Sequence, residues 1–96
     1  MKRLELIANK SVQEDVVKTL ETGVPGLRYT LIPVVHGRGP DDWRLGTTVW
    51  PEENFVLFTY QDDQTTAWIL ELVKGLKKQF PKEGITVWTV AAEEHD

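Results

Sequence analysis

An α+β fold is predicted by three features of this 96-residue sequence. Two segments of alternating or continuous apolar residues precede and follow each of two stretches with apolar residues at helical spacing. Cap and stop residues bracket both stretches. A glycine-flanked, charged segment, Gly37–Pro51, separates the two halves.

Arg3 to Ala8 alternates, with Leu4, Leu6 and Ala8 on one side, and reads as a half-buried strand. Ser11-x-x-Glu14 has the capping-box pattern that starts a helix. Val12, Val16, Val17 and Leu20 then form its stripe, and Gly23 is placed to stop it. Pro25-Gly26 marks a turn. Leu27 to Val35 is rich in β-formers. Pro33 lacks an N–H, so this strand is expected at an edge or bulged.

Asn54 to Tyr60 is nearly continuous apolar sequence and suits a central strand. Asp62 or Asp63 can cap a second helix whose stripe is Ile69, Leu70, Val73, Leu76 and Phe80. Pro81 to Gly84 ends it, Ile85 to Val90 is the last strand, and Ala91 to Asp96 is an acidic tail. The order β-α-β-β-α-β predicts a ferredoxin-like sandwich: one antiparallel sheet with both helices on one face. The other face would carry Ile7, Trp88, Phe55 or Phe58, and Tyr29 or Thr30, and would need cover from further copies of the chain.

Length and composition predict one domain, residues 1–96. Forty-one per cent hydrophobic and 27% charged residues are ordinary for a soluble globular protein. With no cysteine, neither disulfides nor thiolate metal sites are available. No run approaches the ~20 apolar residues that span a bilayer, and no signal peptide is visible, so a cytoplasmic location without membrane insertion is expected. A formal net charge of −4 argues against nucleic-acid binding, which needs a dense positive face.

The segment Gly37–Pro51 is the candidate site for ligand or partner. Arg38 and Arg44 bracket Pro40-Asp41-Asp42. They can pair with these aspartates in solvent, or clamp a phosphate or carboxylate with their planar donors. Gly37-Arg38-Gly39 is a weak anion-nest signal, without P-loop spacing. Trp43 between two charged residues suits an apolar contact, whereas Trp50 reads as packing at the loop base. His36 at the strand-loop junction is a metal ligand only if others converge on it. No nucleophile–base pair or paired acids are recognisable, so no catalytic residues, and no enzyme, are expected.

Several strings resemble the PII signalling-protein superfamily. Gly26-Leu27-x-x-Thr30 is similar to its entry into the second strand, and Asp62-Asp63-Gln64 to the start of its second helix. Val35-His36-Gly37-Arg38-Gly39 falls where that family enters its T-loop, and Val87 to Glu94 is similar to its last strand. The glycine-rich B-loop is replaced by Phe80-Pro81-Lys82-Glu83-Gly84, the T-loop equivalent is short and lacks tyrosine, and the tail is acidic rather than basic. The pattern is that of a divergent PII-like protein. The resemblance implies a homotrimer with no bound cofactor. A small anionic ligand or a metal would occupy the loop and the inter-subunit cleft, and would modulate a partner such as a membrane transporter or an enzyme. On this resemblance Thr30, Gly37, Arg38, Trp43, Arg44 and Lys82 are candidate ligand-binding residues and His36 the candidate metal ligand. Two alternatives stay open: a metal-linked accessory of a heavy-metal efflux or tolerance system, and a small cofactor-less ferredoxin-like enzyme using His36.

Overall fold

The computed structural model describes residues 1–36 and 53–96. Strand β1 (Lys2–Asn9) leads through a 3-10 turn (Lys10–Val12) into α1 (Gln13–Gly23). Strands β2 (Thr30–His36) and β3 (Glu53–Gln61) follow, then α2 (Asp63–Gln79) and β4 (Thr86–Ala91). The four strands form one antiparallel sheet in the order β2-β3-β1-β4. The expected β-α-β-β-α-β order is therefore the observed one.

Alternation decides what each strand buries. Leu4, Leu6 and Ala8 of β1 and Phe55, Leu57 and Thr59 of β3 point to one side and are buried. Val12, Val16 and Leu20 of the first helical segment meet them, as do Ile69, Val73 and Leu76 of α2. Leu70 and Phe80, expected in the α2 stripe, lie at the margin of this core and are partly buried. Complete burial of an aromatic or branched aliphatic side chain contributes about 1.5–3 kcal/mol, so this single layer holds helices to sheet.

The helix ends show how local chemistry sets boundaries. Asp62 caps α2: its carboxylate accepts from the Thr65 N–H at 2.7 Å, and the Thr66 hydroxyl donates to the Asp62 carbonyl at 2.7 Å. The first helix starts differently from the capping-box expectation. Asn9, not Ser11, supplies the cap, with its Oδ1 accepting from the Ser11 N–H at 2.8 Å. That bond tightens Lys10–Val12 into a 3-10 turn, and α1 begins only at Gln13. Gly23 is the last helical residue rather than a left-handed stop; its missing side chain admits Leu72, whose Cδ1 lies 2.5 Å from where a Cβ would stand. The left-handed glycine is Gly26, at φ +76° in the turn after Pro25.

Pro33 has the predicted consequence. Strand β2 is an edge strand, and its register with β3 shifts between Ile32 and Val35. Strand β3 is central, as expected, but within one chain only its helix-facing side is fully covered.

Candidate functional site

The strand directions gather several candidate residues at one end of the sheet. Strand β2 ends at His36, opposite Glu53 where β3 begins, and β1 ends at Asn9 opposite Asn54. The turn carrying Lys82 feeds β4 at this same end, because Thr86 pairs with Ile7. Its backbone is fixed by bonds from the Phe80 N–H to Leu76, from Glu83 to Phe80, and from Ile85 to Glu83, at 2.9, 3.1 and 3.0 Å. Lys82 is exposed there. Yet β2 and β4 are opposite edges of the sheet, three strand spacings or roughly 14 Å apart. His36 and Lys82 thus share an end but not a cleft within one chain.

Thr30 stands elsewhere. It opens β2 and pairs with Phe58, up to about 20 Å along the strand from His36. Gly37, Arg38, Trp43 and Arg44 lie outside the described residues, as does the rest of the Gly37–Pro51 segment. Among the described residues no group of three His, Cys, Asp or Glu is placed to hold a metal ion.

The helix-free side of the sheet holds a network that sequence reasoning missed. The Arg3 guanidinium donates to the Tyr60 hydroxyl at 2.7 Å and to Glu5 Oε1 at 2.9 Å, and lies over the Phe58 ring, 4.1 Å from its centroid. The bond to Glu5, then that to Tyr60, raises the Arg3 pKa further above its ordinary value. Phe58 and Tyr60 meet edge to face with centroids 6.2 Å apart. Trp88 and Val90 of β4 border the pair Arg3–Glu5 across a cleft of about 140 Å³. This face is apolar and open: Trp88 is 61% exposed, Val90 55% and Tyr60 50%, with Ile32 also exposed. Phe58, Thr30, Ile7 and Trp88 belong to it, whereas Phe55 belongs to the core. The alternation of β1 gives the side on which Arg3 and Glu5 stand. Its pairing with Tyr60 needs the β1–β3 register, for which one strand carries no signal.

A groove of about 290 Å³ opens where the chain before β2 diverges from β3, lined by Arg28, Tyr29, Thr30, Phe58, Thr59 and Tyr60. The buried Thr59 hydroxyl donates to the Arg28 carbonyl at 2.6 Å, and Gln61 Nε2 donates to the Thr59 hydroxyl at 2.8 Å. The Tyr29 hydroxyl donates to Glu21 at 3.1 Å; desolvation first, then this bond, raises its pKa.

The same architecture occurs in solved structures. A protein of Thermus thermophilus described as PII-like and signalling superposes with a TM-score of 0.63 at 18% identity, over 93% of this chain and 83% of that one. CPII of Thiomonas intermedia K12, a nitrogen regulatory PII-like protein bound to ADP, AMP and bicarbonate, gives 0.65 at 18% identity over 92% and 86%. A further CPII structure, bound to ADP, AMP and acetate, gives 0.62 at 15% identity over 97% and 88%. The fold is the PII-like one. No family model matches the sequence, and no curated protein matches it significantly. Residues 37–52 fall between β2 and β3 in chain order, and Lys82 between α2 and β4. Among the described residues no helix is long and apolar enough to cross a membrane.

Proposed function

We propose that this chain is a PII-like regulatory protein that binds a small anionic ligand and transmits occupancy to a partner protein. The observation that carries the reading is the likeness of nearly the whole chain to CPII, a protein bound to ADP, AMP and bicarbonate. The open sheet face supports it, because an apolar surface of this kind calls for cover by further copies. In a homotrimer the β2 edge of one copy meets the β4 side of the next, so His36 and the loop of one chain approach Lys82 of another. Arg38 and Arg44 then supply charge-assisted contacts to the ligand, Thr30 and Gly37 polar ones, and Trp43 an apolar one. Residues 37–51 act as a short T-loop within a single domain of residues 1–96. Ligand shifts the loop between two states only by its differential affinity for them. The role is binding in the cytoplasm, without catalysis, and the partner is an enzyme or a transporter. A metal effector at His36 would draw its other ligands from the loop or from neighbouring copies.

Calorimetry on the full chain tests the reading with ADP, AMP and bicarbonate as probes. Saturable binding of at least one is expected. ATP is expected to bind more weakly than ADP or AMP, because Phe80 to Gly84 has no glycine-rich cradle for a triphosphate. The absence of binding by all these anions would overturn it.

A further inference from the structure

We infer that the outer flank of the last two turns of α2, with the turn that follows it, is a docking surface for a layer of anionic lipid head groups, on which the chain rests without inserting.

Three observations carry this. First, positive charge is concentrated there. Residues 74–82 hold four lysines, Lys74, Lys77, Lys78 and Lys82, and no carboxylate, in a chain whose formal net charge is −4. All four are exposed. Lys74 meets Glu71 at 3.4 Å, a solvent-screened pair at helical spacing, whereas Lys77, Lys78 and Lys82 make no ion pair or hydrogen bond among the described residues. Lysines in the last turn of a helix complement its dipole, but Lys74 precedes that turn and Lys82 follows it.

Second, the carboxylates that would cancel this charge stand apart. Glu83 adjoins Lys82, and Glu14 and Asp15 open α1 at the same end, but none of them pairs with a lysine of the cluster. Asp62 and Asp63 lie at the other end of the 17-residue α2, about 25 Å away. Glu93 and Glu94 lie at that far end too, beside Met1 and Tyr60. Both groups are beyond the screening length of about 8 Å at physiological salt, so a surface that approaches the lysines meets a positive field on a net negative chain.

Third, the flank is open and free of any shaped recess for a single anion. Leu72 and Trp68 turn toward Gly23 of α1, so by helical periodicity Lys74 and Lys77 stand on the opposite flank and Lys78 on the outer ridge. The helices cover one side of the sheet, so copies that cover the open side leave this flank in solvent. Gly75, exposed among the lysines, adds no side chain to it, and a Cβ there would meet open space. None of these lysines lines the cleft beside Trp88 or the groove beside the start of β2. The cluster has no arginine to present a planar fork to one phosphate or carboxylate. Ammonium groups on flexible stems, spread over a convex flank, suit a plane of many weakly held anionic head groups.

Sedimentation of the full chain with vesicles, without any small ligand, is the test. Vesicles of phosphatidylserine and phosphatidylcholine in equal parts should bind the protein at low salt, and about 0.5 M salt should release it. Vesicles of phosphatidylcholine alone should bind at least about tenfold more weakly. The triple variant Lys74→Gln, Lys77→Gln, Lys78→Gln keeps helix propensity and should weaken binding to the anionic vesicles by about tenfold or more. Lys82 stays in place, so a loss here is not a loss of the proposed ligand cleft. The control Lys2→Gln, Lys10→Gln, Lys18→Gln removes the same charge elsewhere and should weaken binding by less than about threefold. No binding to anionic vesicles at low salt, equal binding to neutral ones, or equal losses in the two variants would overturn the assignment. Tighter binding of polyglutamate than of the anionic vesicles, lost in the first variant, would overturn it too, by giving the flank to an acidic protein segment.

Discussion

Asp62 shows how much one side chain decides. Its carboxylate accepts from the Thr65 N–H, and this bond to the backbone is the first cause of its lowered pKa. A depressed carboxyl contributes stability above its unfolded value, and that contribution is lost as pH falls through the folded value. Asp62→Ala should therefore lower the melting temperature by a few degrees at neutral pH. The difference from the native chain should vanish on acidification below the ordinary carboxylate range. Asp62→Asn, which still accepts the bond, should stay close to native at neutral pH. Thermal melts by circular dichroism across pH would check all three. Arg3 and Asn9 mark the limit of legibility at this scale. Asp62 was readable because a cap precedes its helix directly. Asn9 was not, because its Asx-type bond to Ser11 competes with the Ser11-x-x-Glu14 pattern and wins. Arg3 pairs across the sheet, so its partner depends on register rather than on neighbours in sequence.

Among the elements, β1 and β3 carry the core, and their alternation made them legible from the sequence. Leu6 and Leu57 are paired across the two strands, and both are fully buried beneath the helices. Truncating either leaves a cavity in a layer with few ways to collapse. Leu57→Ala should cost about 2–5 kcal/mol in urea unfolding, with the m-value unchanged. Val56, its neighbour in sequence, faces the open side and pairs with Ile7 and Ile32. Val56→Ala should cost clearly less in a monomeric reference state, and a comparable loss at both positions would mean that the open face is covered. Pro33 was equally legible: a residue without an N–H confines its strand to an edge, and the observed register shift follows. The candidate ligand residues divide along the same line. Thr30, His36 and Lys82 have readable places at strand or turn boundaries. The chemistry of Gly37, Arg38, Trp43 and Arg44 is legible, but their geometry lies outside the described residues. The groove beside the start of β2 had no signal in sequence, because the segments that line it, joined by the Thr59–Arg28 bond, are thirty-one residues apart.

For the whole molecule, the open sheet face poses the decisive question of assembly. Trp88, Val90, Tyr60 and Ile32 expose apolar surface together, while the charges amid them, Arg3 and Glu5, neutralise each other at 2.9 Å. A face whose charges are paired internally asks for no charged partner, and its apolar members favour a surface of like kind. The two sheet edges are also unequal. Strand β2 is blunted by Pro33 and a shifted register, whereas β4, Thr86–Ala91, has neither proline nor charge. Both features fit copies of the same chain meeting through the face and the β4 side, with closed symmetry limiting growth. Each large side chain fully withdrawn from water contributes roughly 1.5–3 kcal/mol, so a few of these residues are enough to hold copies together at micromolar concentration. Light scattering should return a trimer for the native chain. Trp88→Glu places a charge at the centre of the contact and should shift the protein toward monomer, with the far-ultraviolet dichroism of one folded chain retained. Trp68→Glu is the matched control: Trp68 is similarly exposed, but it lies on α2, on the other side of the sheet, with its indole donating to the Gly23 carbonyl at 2.9 Å. That change should leave the trimer intact. A native chain that stays monomeric at micromolar concentration would remove the proposed inter-subunit cleft, and with it the proposed approach of His36 to Lys82 of another copy.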